Sequence, residues 1–114
     1  MGYHIERVNS LLRQTLSELL QREVKDPRLG GFITITAVDT SADMKHAKVY
    51  VSSLGGDDDR QEILGTLTTA AGFFRREMAV SLKLRRIPQL VFQWDDSIER
   101  GDRLLRLIDQ VASD

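Results

Sequence analysis

The chain has 114 residues, a net charge of −1 and no cysteine, with 41% hydrophobic and 29% charged residues. This composition is typical of a folded globular protein, and the lack of cysteine excludes disulfides, a thiol nucleophile and a zinc–thiolate site. No apolar run approaches the roughly 20 residues that span a bilayer, and polar residues interrupt the N-terminus from His4 onward. We therefore expect one soluble, cytoplasmic domain over residues 1–114 that has no membrane partner.

The first predicted element is an amphipathic helix over residues 4–24. Its apolar residues recur at spacings of three and four, which places them along one face. These residues are Ile5, Val8, Leu12, Leu16 and Leu19. We expect Asp26-Pro27 to end the helix, because the residue before a proline is pushed out of the α region, and residues 29–31 to form a turn.

Two strands follow over residues 32–40 and 45–53. In the first, Ile33, Ile35 and Ala37 alternate with Thr34, Thr36 and Val38, and in the second, Ala47, Val49 and Val51 alternate with Lys48, Tyr50 and Ser52. The short connection over residues 41–44 predicts an antiparallel hairpin. Its polar face, with Thr34, Thr36, Lys48 and Tyr50, would meet water or a partner.

The second half of the chain predicts two helices, a third strand and a final helix. The first helix covers residues 60–71, and Gly72 interrupts it before a second stretch over residues 73–84, on which Phe74, Met78 and Leu82 share a face. In the third strand Leu90, Phe92 and Trp94 alternate with Val91 and Gln93. Asp96-Ser97-Ile98-Glu99 resembles a capping box, and the final helix has a predicted buried stripe. That stripe consists of Leu104, Leu105, Ile108 and Val111.

Residues 75–86 are the most basic part of the chain, with five cations against Glu77 alone, a local charge of +4 (five minus one). The cations are Arg75, Arg76, Lys83, Arg85 and Arg86. On a helix, Arg75, Arg76, Lys83 and, if the helix extends that far, Arg86 fall within an arc of about 100° around Ala79. A second apolar stripe of Phe73, Val80 and Leu84 lies next to this arc. Acids that would pair with them at i,i+4 are missing, and the run follows a glycine, where backbone amides can approach a phosphate. The pattern fits a nucleic-acid site, but charge alone does not separate that site from a solvated helix face.

The order of elements supplies a more specific indication. Helix, strand, strand, helix, sharp turn, helix and strand is the order of the type II KH domain, an α+β fold with helices on one face of a three-stranded sheet. Here Ala70-Ala71-Gly72 stands where that domain has its GXXG loop. The chain therefore resembles the ribosome-binding factor A family, whose hallmark is an Ala-x-Gly kink. Residues 22–30, 47–52, 70–92 and 95–104 also resemble segments of that family, although the tripeptide alone would equally fit two closely packed helices.

The resemblance implies a ribosome maturation factor without enzymatic activity or cofactor. Family members bind the small (30S) ribosomal subunit and its 16S rRNA, assist late assembly and 5′-end rRNA processing, and matter most in the cold. The implied rRNA contacts are Arg75, Arg76, Lys83, Arg85 and Arg86, with Lys45 and Lys48 as further candidates. We expect a monomer when free, with an assembly GTPase as a possible partner for release.

Two departures from the wider pattern affect the expected mode of binding. Without GXXG the clamp on a single strand is in doubt, so we expect recognition of folded rRNA by its shape and phosphates rather than by its bases. Many relatives also carry a charged C-terminal extension, whereas this sequence ends at Asp114, so we expect any function of that extension to be absent here.

The alternative is a protein-interaction module that uses the open sheet face around Tyr50 and touches no RNA. A hydrolase is disfavoured, because His4 and His46 have no second ligand at metal spacing and no nucleophile motif appears. His46 could instead touch RNA beside Lys45, and the acids at 57–59 fit a helix cap better than a cation site.

Overall fold

The structure is a computed structural model, and it describes residues 2–22, 33–53, 60–82, 84, 86–97 and 105–109. The elements are α1 (Gly2–Arg22), β1 (Ile33–Thr40), β2 (His46–Ser53), α2 (Arg60–Thr69), α3 (Ala71–Leu82) and β3 (Gln89–Trp94). Residues 105–109 are also helical. No helix in these ranges is long and apolar enough to cross a membrane.

Helix α1 confirms the predicted amphipathic pattern. Val8, Leu12, Leu16 and Leu19 are buried, and the helix packs against β1 and α3. The helix begins two residues earlier than predicted, at Gly2. The predicted stop at Asp26-Pro27 and the turn at 29–31 lie outside the described residues.

Strands β1 and β2 form the predicted antiparallel hairpin, with Thr40 opposite Ala47 at the loop. The Asp43 carboxylate organises this loop, because its Oδ1 accepts hydrogen bonds from the Ser41 hydroxyl at 2.6 Å and the Lys45 amide at 3.0 Å. These bonds, the first above all, lower the pKa of Asp43 below 3.8. The tight loop also holds Met44 at a positive φ of 64°.

The prediction for the second half of β1 was wrong. Ala37 was expected to share the face of Ile35, but the register shifts between these two residues, and Ala37 is exposed while Val38 is buried. The extra residue is Thr36, whose hydroxyl donates to Asp95 Oδ2 at 2.6 Å. Strict alternation would have turned Asp39 toward the core, where an unpaired carboxylate is costly. The β-bulge avoids this by moving Val38 inward.

The sheet has the order β1-β2-β3, and β3 runs parallel to β2. Ala47, Val49 and Val51 of the central strand are 0% exposed, while Lys48 on the other face is exposed. Helices α1, α2 and α3 pack on the buried face, where Phe74, Met78, Leu90 and Phe92 complete the core. This is the predicted α+β, type II KH-like arrangement, with helices on one face of a three-stranded sheet.

The break between α2 and α3 lies at Ala70 and not at Gly72. Gly72 is the second residue of α3, and the Ala70 and Phe74 amides still bond four residues back, to Thr66 and Ala70. The hydroxyls of three threonines in α2 donate to carbonyls four residues earlier, a contact that bends helices. These donors are Thr66, Thr68 and Thr69. Their clustering before Ala70 favours a bend there rather than at the glycine.

The predicted burial of the final helix was wrong for its described residues, 105–109. Leu105 is 64% exposed and Ile108 is 52% exposed, and the described core consists of side chains that precede residue 95. Leu104, Val111 and most of the predicted capping box lie outside the described residues. Within the described part, Asp95 Oδ1 accepts a hydrogen bond from the Ser97 amide at 2.9 Å.

Candidate nucleic-acid interface

The exposed face of α3 carries Arg75, Arg76 and Ala79. Phe74 and Met78 fix this orientation from the opposite side of the helix, since both are 0% exposed. The ring of Phe74 lies 5.8 Å from the ring of Phe73 and 6.1 Å from that of Phe92. Because Phe74 and Met78 anchor α3 in the core, the fold fixes the direction in which Arg75 and Arg76 leave the helix.

Arg75 also has a structural contact. Its Nη2 donates to the Ile87 carbonyl at 3.1 Å, which connects α3 to the residues that lead into β3. A guanidinium has five N–H donors, so this bond leaves others for an anion. Arg75 therefore both connects α3 to the segment before β3 and presents a positive charge at the surface. We call its hydrogen bond to the Ile87 carbonyl the Arg75 latch. No hydrogen bond from Arg76 is seen among the described residues.

The fold brings two of the other predicted cations to the neighbourhood of this latch. Arg86 is exposed and directly precedes Ile87. Lys45 is exposed, and its carbonyl accepts a hydrogen bond from the Gln89 amide at 2.8 Å, where β3 begins. The backbone bonds at Ile87 and Gln89 thus place Arg75, Arg86 and Lys45 at the same end of the sheet. Lys83 and Arg85 lie outside the described residues.

The positive field of the two lysines is reduced by neighbouring acids. Lys48 lies directly opposite Asp39 in the sheet register, and it is on the sheet face away from α3. Lys45 adjoins Asp43 and contributes, behind the two hydrogen bonds, to the lowered pKa of that carboxyl. The structure therefore does not join Lys48 to the α3 cations, and it gives Lys45 a partly neutralised setting.

Of the cations that were predicted to share one arc of a helix, Arg75 and Arg76 are the two that lie on α3 within the described residues. Helix α3 ends at Leu82, so Arg86 reaches the site from a non-helical segment before β3. The predicted second apolar stripe does not form either, because Val80 is 79% exposed and Leu84 lies beyond the helix. This segment ends at Pro88, which is fully buried and directly precedes the first residue of β3.

A groove of about 500 Å³ lies between the α2–α3 break and β3, on the side of β3 away from β2. Its lining residues are Thr68, Ala71, Gly72, Arg75, Gln89, Leu90, Val91 and Phe92. A Cβ atom at Gly72 would meet nothing within 4 Å, so this wall is open. Two residues of the predicted kink motif, Ala71 and Gly72, thus line a groove, and both Ala70 and Ala71 pack against the core.

Sequence reasoning missed this groove and the contact between Arg75 and Ile87. Neither has a local signature, because each depends on where β3 lies relative to the helix break. The strand order β1-β2-β3, which was not predicted from the sequence, leaves β3 at the edge of the sheet beside α2 and α3.

Comparison with known proteins decides the family. The family model described as "Ribosome-binding factor A" matches residues 4–108. The chain belongs to the ribosome-binding factor A family. A family member from Dehalococcoides mccartyi is 50% identical over 112 residues, which cover 98% of this chain and 95% of the relative.

Solved structures of ribosome-binding factor A share the fold. The solution structure of a protein from Thermotoga maritima, described as a ribosome binding factor A, matches with a TM-score of 0.72 and 37% identity, over 82% of this chain and 88% of the other. A homology model of Thermus thermophilus ribosome binding factor A, fitted into the cryo-EM map of a 30S complex with that protein, matches with a TM-score of 0.65 and 27% identity, over 77% of this chain and 91% of the other.

Proposed function

We propose that this protein is a ribosome maturation factor that binds the small ribosomal subunit and contacts 16S rRNA through the exposed face of α3. Two findings support the proposal. A family member with the same fold has been placed in a 30S complex, and this chain displays Arg75 and Arg76 on a rigid, exposed helix face with Arg86 close to the Arg75 latch. The proposal depends above all on one observation: the chain has a net charge of only −1, yet it concentrates exposed arginines on one face of α3.

The chemistry of the face favours phosphate contacts over reading of bases. Arginine pairs with phosphate oxygens through its planar fork, and such contacts position a protein without specifying a sequence. Ala79, exposed beside the arginines, leaves room for a backbone to approach. Lys83, Arg85 and Lys45 extend this proposed site, and Lys48 is its weakest member because it lies on the other sheet face.

The finer functions follow from the family and remain part of the proposal. They are late assembly of the subunit, 5′-end processing of the rRNA and importance in the cold, carried out in the cytoplasm by a non-enzymatic monomer without a cofactor. Release would involve an assembly GTPase. Ala70-Ala71-Gly72 would serve as the structural element that positions α3.

The test is co-sedimentation of the protein with purified small subunits over a range of salt concentrations. We expect Arg76→Glu to reduce the bound fraction strongly, because the charge reversal repels phosphate and no described hydrogen bond depends on Arg76. Arg7→Glu is the matched control, since it makes the same change in net charge at an exposed position on α1. Binding by wild type should weaken steeply with salt as counterions are released.

Equal binding by Arg76→Glu and wild type would show that the α3 face is not the interface. The alternative, a protein-interaction module that uses the open sheet face, predicts this outcome together with loss of binding in Tyr50→Ala. Tyr50 is half-buried on that face, between the exposed Lys48 and the half-buried Ser52. The two variants therefore separate the helix face from the sheet face.

A further inference from the structure

We propose that the side of α3 next to α1 docks a basic protein of the small ribosomal subunit. Phe73, Glu77 and Val80 form this side, which we call the α1-side face. The inference rests on the proposed binding to the small subunit, and it adds a protein contact beside the rRNA contact of Arg76. The partner is defined by its chemistry: a protein surface that presents apolar side chains together with lysine or arginine.

The two flanks of α3 point in different directions. Arg75 points toward β3, because it donates to the Ile87 carbonyl just before that strand. At 100° per residue, the three residues of the α1-side face lie about 140–160° round the helix from Arg75. Helix α3 packs against α1 and β3, and it meets α2 at the break, so the flank away from β3 is the one beside α1. Spacings of three and four residues make the side chains of this face neighbours on the helix surface.

Helix α1 adds an apolar side chain to the seam between α1 and α3. Asn9 and Arg13 of α1 bond to the backbone of β1, at Thr40 and Ile35. Leu11 is two residues from each of them, so it lies about 160° away, on the flank that faces α3. Leu11 is 38% exposed. Exposed apolar groups therefore lie on both sides of this seam.

Val80 has the highest exposure of the large hydrophobic side chains among the described residues, at 79%. A single exposed valine needs no explanation, but Val80 shares the α1-side face with the half-buried ring of Phe73. Removing such groups from water stabilises a complex, whereas a phosphate backbone offers them little contact. The α1-side face therefore fits a partner with apolar side chains better than it fits rRNA.

The charge of the α1-side face supports the same conclusion. Glu77 is half-buried there, and no hydrogen bond or ion pair joins its carboxylate to another described residue. A carboxylate repels a phosphate backbone, so rRNA bound across the whole of α3 would meet a like charge. A protein surface with lysine or arginine would instead pair with Glu77. Charge complementarity therefore selects a basic protein as the occupant.

The α1-side face is continuous with the proposed rRNA contact. Val80 follows Arg76 by four residues, so the two side chains are neighbours along the helix. The small subunit contains protein as well as RNA, and a relative with the same fold has been fitted into the map of its 30S complex. The protein contact need not reach the area of an independent interface, because the arginines of α3 contribute to the same complex.

The experiment measures the binding of variants of the whole chain to purified small subunits, with the sign of an added charge as the readout. Val80→Lys should weaken binding about tenfold or more if a basic protein covers the face, whereas it would strengthen binding to rRNA. Glu77→Gln should weaken binding about threefold or more, although the loss of an acid would favour rRNA. Thr34→Lys adds the same charge on the exposed sheet face and is the matched control, with an expected change below about twofold.

Photo-crosslinking identifies the class of the partner without relying on a loss of binding. The chain has no cysteine, so Val80→Cys can carry a benzophenone label. After irradiation of the complex with small subunits, we expect an adduct with a protein of the subunit that survives ribonuclease. Thr34→Cys with the same label is the control and should give no such adduct.

Arg76→Glu is measured in parallel to separate this inference from the proposed rRNA contact. Normal binding by Arg76→Glu together with weak binding by Val80→Lys would refute the rRNA contact and keep the protein contact. The reverse pattern would refute the protein contact alone. The inference is also overturned if Glu77→Gln binds as tightly as wild type or more tightly. It is equally overturned if the label at position 80 gives no adduct, or only adducts that ribonuclease removes.

Discussion

Arg75 and Arg76 are adjacent and equally charged, yet the structure predicts different consequences of replacing them with alanine. Arg75 donates to the Ile87 carbonyl at 3.1 Å, and Arg76 has no such contact among the described residues. Arg75→Ala should therefore lower both the free energy of unfolding and the affinity for the small subunit. Arg76→Ala should lower the affinity alone.

The size of the difference follows from the geometry of the bond. An intramolecular hydrogen bond contributes about 0.5–1.5 kcal/mol net, and a charged donor lies at the upper end of that range or above it. Arg75 is exposed, so water replaces much of the lost bond, and we expect about 0.5–1 kcal/mol. An exposed substitution without a specific contact stays within about 0.5 kcal/mol, which is the expectation for Arg76→Ala.

Urea unfolding of the two variants and wild type measures the stability part. Salt-dependent binding to small subunits measures the other part, and the slope of log affinity against log salt should fall by about 1 for each phosphate contact removed. If Arg75→Ala is as stable as Arg76→Ala, the bond to Ile87 does not contribute and the latch is wrong. If neither variant changes the salt slope, the arginines do not contact phosphate.

Three further predictions concern the loop, the core and the exposed C-terminal segment. Because hydrogen bonds lower the pKa of Asp43 below 3.8 in the folded protein, its stabilisation is present above that pH and is lost as the pH falls through the lower folded value. Urea unfolding should therefore show a wild-type advantage over Asp43→Asn at pH 6 that shrinks in acid, and a constant difference would contradict this. Phe74→Ala should cost about 3–5 kcal/mol by thermal unfolding, because it opens a cavity among fully buried side chains, and a loss below 1 kcal/mol would argue against the described core. Ile108→Ser should change stability by less than about 0.5 kcal/mol, and a larger loss would show that Ile108 is buried in solution.

The sequence was sufficient to predict the order of the elements and most of the core. The hairpin, the faces of β2 and the inward direction of Phe74 and Met78 all follow from periodicity, which depends on residues close in the chain. The same is true of the exposure of Arg75 and Arg76 opposite those anchors. Periodicity could therefore identify the basic face, although it could not show what the face binds.

The β-bulge was missed, although the sequence contains a trace of it. Uninterrupted alternation from Ile33 would have placed Asp39 toward the core and Val38 toward solvent, so one extra residue was needed between Ile35 and Val38. The end of α3 was predicted two residues too late for a different reason. Its apolar spacing continues formally to Leu84, but Pro88 is buried at the start of the sheet, and the residues before it serve to lead the chain into β3.

The remaining features depend on tertiary contacts that no local pattern encodes. The Arg75 latch joins residues twelve positions apart in the chain, and the groove joins Thr68 to Phe92 across three elements. The charged surroundings of Lys48 come from the register that places Asp39 opposite it. The family resemblance added Lys48 as a further candidate beside Arg76, whereas the fold places the two residues on different surfaces.

Directed hydroxyl-radical probing of the small subunit tests the central claim most directly. The chain has no cysteine, so a single introduced cysteine can carry an iron chelate at a chosen position. Ala79→Cys places the probe on the exposed face of α3 without removing a cation, and Thr34→Cys places it on the exposed sheet face. We predict cleavage of 16S rRNA from position 79 and little or none from position 34. Cleavage from position 34 alone, or from neither position in a complex that sediments normally, would contradict an rRNA interface on α3.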